Sequence, residues 1–532
     1  MKKNIITAFL GALLISSCFS DKSNYDYVEI NKTTIEPLDH THTIFADIGI
    51  LKMEANVNMT MANPDDERFE YLWIAVDRSN TAFRDTIAYG RAIDWQATLP
   101  NGNYNLIFRM VDKETGMVEQ ARPKANPSNP SQTDVQLNIS VYHSRGIMLI
   151  GDNAQGYAQV QMITMLAGQE EAFYDDLLQF SELPPLTGAI DFFHTGNSSP
   201  ATIRELWIVT QSGSYFLNRF SLRAQPYFNI FNDKLYFSES TPINVLEIAP
   251  KIRSNNGDAG TAGSRIYRCD NGGVYVSYTS IYGDLYDLPG NSTDGTGAFG
   301  RARGELLYSL NSYGSCCLWY DRDNECFAKQ GSALITAPTK LDDNPGDIFP
   351  WKQNGRTYVY GENTFNTDGG SSNGNSFAIM QEIGGNAAEN YDYCLYKLYS
   401  NGTPAKRGFY VVDKTAAPLF GSATMYAFSS KRSAVFYVAG GKLYAYDYDS
   451  AVKRNYEMVL ADNNEVTMIK FDVQREPNSD FLYVATYSAS TGGTLYKYAI
   501  DADLNLVKLK STPDETWRGL MKVKNMNWRG SE

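Results

Sequence analysis

The sequence predicts an all-β protein in two parts, an immunoglobulin-like sandwich followed by a β-propeller with seven blades as the best count. Three observations predict this. Residues 36–142 hold short apolar segments separated by Gly, Pro and Asn turns. From about 145 to 532, aromatic hairpins recur at a spacing of roughly 50 residues, the length of a propeller blade. No long stretch carries the 3.6-residue apolar period of a helical solenoid.

Composition bounds the reading. The chain has 532 residues, 47 basic and 60 acidic, for a net charge of −13. Hydrophobic residues make up 43% and charged residues 20%, which excludes a mainly disordered chain. The acidic balance argues against nucleic-acid binding, which needs a basic footprint.

The N-terminus reads as an address. Met1-Lys-Lys3 precedes an apolar run from Ile5 to Ile15, then Ser16-Ser17-Cys18. A basic start, a short apolar run and small residues describe a secretory signal, here residues 1–17. The run is too short to span a bilayer, which needs about 20 residues. Cys18 stands where a bacterial lipoprotein carries its lipidated cysteine, and several acyl chains would hold it to a membrane. Residues 18–35 are polar and tyrosine-rich and read as a tether.

Within 36–142 the strands come in order. Ile44 to Met59 alternates loosely, and Phe69 to Val76 places Tyr71 and Trp73 on one face. Leu99-Pro-Asn-Gly102 is a turn that opens the strand through Tyr104 to Asp112. Val135 to Val141 closes the set. Several short strands over about 100 residues suggest a sandwich.

Beyond 145, Leu443-Tyr444-Ala-Tyr446 is echoed by Leu495-Tyr496-Lys-Tyr498, 52 residues on. Each comes after a first strand and a Gly-containing turn, from Phe436 and from Leu482. A similar unit runs from Leu206 to Leu217, and others begin near Ile147, Val274, Leu318 and Tyr358. An open blade cannot bury both faces alone, whereas radial stacking buries them. Six or eight blades are the neighbouring counts, and a large sandwich or β-helix is the alternative fold.

Chemistry-bearing motifs are few. The four histidines are His40, His42, His143 and His194, and no HExxH occurs. His40 and His42 share a strand face, where a solvated strand end is favoured over a metal pair. No GxSxG elbow supplies a nucleophile. Gly295 to Gly300 matches GxGxxG but sits in a turn-rich stretch rather than between strand and helix, so it reads as a loop. Asp321-Arg-Asp323-Asn-Glu325 lacks the glycine and distal glutamate of a calcium loop and reads as a hairpin turn. Either Cys316 or Cys317 could bridge to Cys326, with buried thiols the equal alternative. No cofactor, metal or catalytic residue is expected, and the chain is not expected to be an enzyme. The Gly- and Asn-rich stretches 253–265, 289–304 and 361–390 read as loops that carry binding residues. Among 36 Tyr, 26 Phe and 7 Trp, most are assigned to blade cores. Trp351 beside 361–390, and Tyr282 and Tyr286 beside 289–304, are the ligand-binding candidates.

Tyr71-Leu-Trp73 with the later Gly102-x-Tyr104-x-Leu-x-Phe-x-Met-Val-Asp112 resembles the PKD fold, in a divergent form, since Trp73 is followed by Ile-Ala-Val76 and not by an acidic loop. From Cys18 onward, including Asp21-Lys-Ser-Asn-Tyr-Asp-Tyr27, the chain resembles the PKD-like lipoproteins of Gram-negative gut bacteria. That resemblance implies an outer-membrane lipoprotein facing the cell exterior. It implies a non-catalytic, ligand-binding accessory of a SusC-type transporter and SusD-type lipoprotein that import oligopeptides or glycans. A purely structural subunit of that complex is the alternative, and a propeller glycosidase or lyase a more distant one. Only one acid, Asp21, stands close after Cys18, so the outward-facing signal is brief.

Overall fold

Alternating burial organises the N-terminal part. In the strand Phe69–Asp77, Phe69, Tyr71, Trp73 and Ala75 are buried, with less buried residues between them. Gly102–Asp112 alternates in the same way over eleven residues. Period-2 patterning of this kind gives a sheet with one face in the core. The computed structural model describes residues 30–46, 49–166, 169–194, 206–224, 243–249, 251, 264–278, 289–292, 299–310, 317–330, 338–352, 355–386, 391–449, 451, 453–508 and 515–530. It divides into two units, Met1–Ser140 and Val141–Glu532.

In the first unit the main sheet runs Thr41–Phe45, Val135–Ser140, Gly102–Asp112, Phe69–Asp77, Arg84–Tyr89, with Val118–Gln120 added to Gly102–Asp112. The first pair is parallel and the rest antiparallel. A second layer pairs Ile50–Glu54 with Ala92–Gln96, and a third short pair joins Thr33–Ile35 to Val57–Met59. Leu51 and Ile93 from the small sheet share one core with Trp73 and Phe108 from the large one. The Trp73 and Phe108 rings lie 4.7 Å apart, and the Trp73 indole N–H donates to the Gly90 carbonyl. Tyr104 donates its hydroxyl hydrogen back to the Pro100 carbonyl at 2.8 Å. That bond is the tyrosine corner of immunoglobulin-like sandwiches, built by the turn at 99–102.

The second unit obeys a different rule. Ala434–Ala439 is buried at every position, as are Leu206–Thr210 and Leu318–Asp321. Such strands need apolar cover on both faces. The described residues form seven sheets here, and each of the seven hairpin segments read from the sequence falls in a different one. Each sheet has one edge strand turned to the centre of a ring: β1 (Ala189–His194), β2 (Val245–Ala249), β3 (Ala302–Leu307), β4 (Arg356–Asn363), β5 (Met425–Phe428), β6 (Glu465–Phe471) and β7 (Lys522–Arg529). Successive sheets touch around the circle, and β7 contacts both β6 and β1. The C-terminal β7 pairs antiparallel with Gly146–Asp152, so the two ends of the unit close one sheet. An apolar core fills each gap between neighbouring sheets. Radially stacked sheets closed in this way make a β-propeller.

One sequence expectation changes, and the open choice for Cys317 is decided in favour of a buried thiol. The stretch 361–390 is not one loop, because β4 runs to Asn363 and another strand covers Ser376–Asn386. The connection 364–375 is folded on itself, with Thr364, Asn366, Ser371 and Asn375 buried, and hydrogen bonds link Thr364, Asn366 and Asn375. The Cys317 thiol donates to the Leu318 carbonyl rather than bridging, Cys269 and Cys394 are buried thiols, and Cys316 lies outside the described residues. Asp321 to Glu325 is a hairpin turn, as read, and the Asp321 carboxylate accepts the N–H of Asp323 and Asn324.

Candidate functional site

The inner strands surround a cavity of about 710 Å³, and all seven contribute to its lining. Its polar groups come from positions that interrupt apolar strands. Glu247 sits in Val-Leu-Glu-Ile-Ala, Glu305 in Gly-Glu-Leu-Leu and Lys470 in Met-Ile-Lys-Phe. Bulges explain how they reach the centre. The pairing of β1, β2, β3, β4, β6 and β7 with the next strand out is interrupted beside Ile190, Leu246, Glu305, Val359, Thr467 and Lys524. An extra residue in one strand bends it and re-aims its side chains. β5 pairs without a bulge and adds no charged side chain. Gly304 makes the β3 bulge possible, since its φ is +72° and a Cβ there would meet the Tyr358 ring at 2.0 Å.

Three carboxyl groups form a relay along neighbouring strands. Glu247 on β2 accepts the Leu306 N–H of β3 at 2.9 Å. Glu305 on β3 accepts the Gly361 N–H of β4 at 2.7 Å. Glu362 on β4 accepts the Phe428 N–H of β5 at 2.7 Å and the Tyr360 hydroxyl at 3.1 Å. Each bond uses Oε2. Glu247 also meets the Arg268 guanidinium at 3.3 Å, whereas Glu305 and Glu362 have no cation in an ion pair among the described residues.

Each lysine of the cavity has a polar partner. The Lys470 ammonium donates to Asn525 Oδ1, the Met526 carbonyl and Asn527 Oδ1, at 3.1, 2.6 and 3.2 Å. Asn527 donates to Asp191 and to the Phe192 carbonyl, which ties β7 to β1. Lys251 binds Asp191 at 2.6 Å, and Lys524 binds Asp152 at 2.5 Å.

The protonation behaviour reflects these partners. Burial, and then the Glu247 charge, raises Glu305 to about 7. Burial raises Glu362 to about 8, against the pull of its hydrogen-bond donors. Burial, and then the charge of Lys251, lowers Lys470 to about 8. Asp191 is buried too, yet Lys251 and Lys470 hold it below the usual carboxylate range. Burial pushes Tyr308 up to about 12.

Of the ligand candidates of the sequence, Trp351 does not line the cavity. Trp351 is 4% exposed and lies in the core between two sheets, against Phe327, Phe349 and the Lys406 ammonium. Its aromatic surface is consumed by packing, so it offers none to a ligand. Tyr282, Tyr286, Cys18 and most of Gly295–Gly300 lie outside the described residues. His42 stands on the strand Thr41–Phe45, and His40 meets the Thr41 hydroxyl at 3.0 Å. Glu305, Glu362 and Lys470 escaped the sequence reading. The available signal was a charged residue set among apolar ones in a strand buried on both faces.

Comparison with known proteins agrees with the first unit. Residues 18–179 match the PKD-like family. The match spans less than a third of the chain, covering the sandwich and entering the first propeller sheet. No curated protein matches. Among solved structures, YCF48 from Cyanidioschyzon merolae is 12% identical with a TM-score of 0.33, over 64% of this chain and 92% of that one. BamB from Moraxella catarrhalis is 12% identical at 0.28, over 70% and 87%. A DUF4784 family protein from Bacteroides caccae is 8% identical at 0.31, over 81% and 96%. The PKD-like match leaves most of the propeller uncovered, so its architecture rests on the chain's own sheets and ring closure. Among the described residues no helix is long and apolar enough to cross a membrane.

Proposed function

We propose that this chain is a non-catalytic binding subunit of a SusC/SusD-type importer, anchored through Cys18 to the outer membrane and facing outward. Its seven-bladed propeller holds an oligopeptide or glycan in the ring cavity for transfer to the transporter. The observation that carries the reading is the cavity of about 710 Å³ lined from all seven inner strands. A volume of that order is typical of small-ligand sites. The PKD-like match and the Ser16-Ser17-Cys18 address support the lipoprotein part of it.

A structural-subunit reading has one observation in its favour. Each cavity carboxylate also fastens one inner strand to the next, a job it would have in an empty ring. A tagged chain recovered in detergent from its native outer membrane separates the two. A SusC/SusD-type pair with a trapped peptide or glycan supports the binding subunit. The pair without ligand, together with no binding in solution, supports the structural subunit. Recovery alone, or turnover of a peptide or glycan, overturns both.

A further inference from the structure

We infer that the ring cavity is built to receive an ammonium group, so that its ligand is an amine-bearing chain, a peptide presenting its N-terminus or a lysine side chain. The inference deepens the binding reading above and rests on it.

Hydrogen-bond valences point there first. All three hydrogens of the Lys470 ammonium are used, and Lys251 and Lys524 are each held by an aspartate. The charges of Lys251 and Lys524 are thus already paired with aspartates, and Lys470 has spent its donors. The acceptors are in surplus. Glu305 and Glu362 each take a backbone N–H on one oxygen and have no cation in an ion pair among the described residues. Their second oxygens accept no hydrogen bond from another described residue. In their ionised form these carboxyls are acceptors only, and that form selects a ligand that brings donors and positive charge.

An aromatic ring points the same way. Tyr308, Tyr360 and Tyr426 belong to the lining on the same arc as these carboxyls. Tyr308 and Tyr426 are packed into the cores between sheets, and the Tyr426 hydroxyl donates to the Phe420 carbonyl. Tyr360 on β4 is therefore the ring that stands beside the carboxyls. The Tyr360 and Tyr426 rings lie 5.5 Å apart, and the Tyr360 hydroxyl is fixed on Glu362. Aromatic faces beside carboxylates hold organic ammonium groups through cation–π attraction and charge-assisted hydrogen bonds. A neutral sugar needs the faces but not the uncompensated acids.

Spacing disfavours a metal ion. Among the described residues no three His, Cys, Asp or Glu side chains stand close enough to hold one. The carboxyls are distributed along three strands, so a single small cation cannot satisfy them. An extended chain with more than one N–H donor can.

The test uses the full chain and titration calorimetry with three probes: tri-lysine, tri-lysine acetylated on every amine, and a neutral oligosaccharide. Each is measured on the native chain and on Glu305→Gln, Glu362→Gln and the double variant. Glutamine keeps an acceptor for the Gly361 and Phe428 N–H groups, and a thermal melt checks that the ring persists. Should the double variant melt early, the single variants read the same ratio. Tri-lysine is expected to bind at least tenfold tighter than its acetylated form, and to lose tenfold or more in the double variant. The net charge of −13 attracts any polycation, so the loss in the glutamine variants is the deciding number. Equal affinity for the acetylated peptide, tighter binding of the oligosaccharide, or undiminished binding by the double variant overturns the ammonium inference while the binding subunit stands. No binding of any probe, with no ligand trapped on the native membrane protein, overturns both.

Discussion

Asp112 in the sandwich and Glu362 in the propeller are carboxyl groups taken out of water in opposite ways. Asp112 is 2% exposed and receives the Arg68 guanidinium on both oxygens, at 2.7 and 2.6 Å. The Thr115 hydroxyl and the N–H groups of Glu114 and Thr115 add to it. The guanidinium holds it well below the usual carboxylate range. Glu362 has one backbone N–H and one tyrosine hydroxyl, and burial raises it to about 8. Neutral donors alone do not compensate a buried charge, and a cation in bidentate geometry does. The sandwich has completed its ion pair, and the cavity has left its acids open.

The largest expected effect breaks the first half of that contrast. Arg68→Ala strips Asp112 of its cation and should lower the melting temperature of the sandwich by several degrees at pH 7. A depressed carboxyl stabilises the fold above its unfolded value near 4 and loses that contribution as pH falls through its folded value. The gap between Arg68→Ala and the native chain should therefore narrow steadily below pH 4. A gap of constant size from pH 7 to pH 3 in calorimetric melts would show that Arg68 acts by packing alone.

A smaller effect of opposite sign tests the second half. Between its unfolded value near 4.5 and its folded value of about 8, Glu362 binds more protons in the native ring than in the unfolded chain. Native stability therefore falls as pH rises through that window. Glu362→Gln should raise the melting temperature of the ring by a few degrees at pH 8 and leave it unchanged near pH 5. A lower melting temperature at pH 8 would mean that the carboxylate is ionised and compensated there.

The smallest effect sharpens the contrast by removing charge from it. Tyr104→Phe deletes the neutral bond to Pro100 and should cost about 1 kcal/mol in denaturant unfolding. The loss should be the same at pH 5 and pH 8. A pH-dependent loss would implicate a charged neighbour.

Much of the fold was legible because its signals are local. Tyr71, Trp73 and the Tyr104 to Asp112 strand announce their buried face by alternation. Each propeller hairpin is a contiguous pair of strands, in the clearest case joined at Gly440-Gly441, where both φ angles are positive. The candidate site was not legible for the opposite reason. Trp351 looked exposed because a turn-rich stretch comes after it, yet Phe327, Phe349 and Tyr396 enclose that region of the core. Bulges also escape pattern reading, because one unpaired residue leaves the apolar run intact while rotating the side chains beyond it.

The sequence by itself determined the all-β class, the order of sandwich and propeller, and the hairpin in each sheet, since these depend on neighbours within a few residues. It also contained every charged residue of the cavity, without showing that they meet. Only the tertiary structure decided that. Asn527 reaches Asp191 across more than three hundred residues because β7 closes the first sheet and comes to rest beside β1. The carboxyl relay exists because stacked sheets bring the edge of one inner strand against the next, a contact that no local pattern encodes.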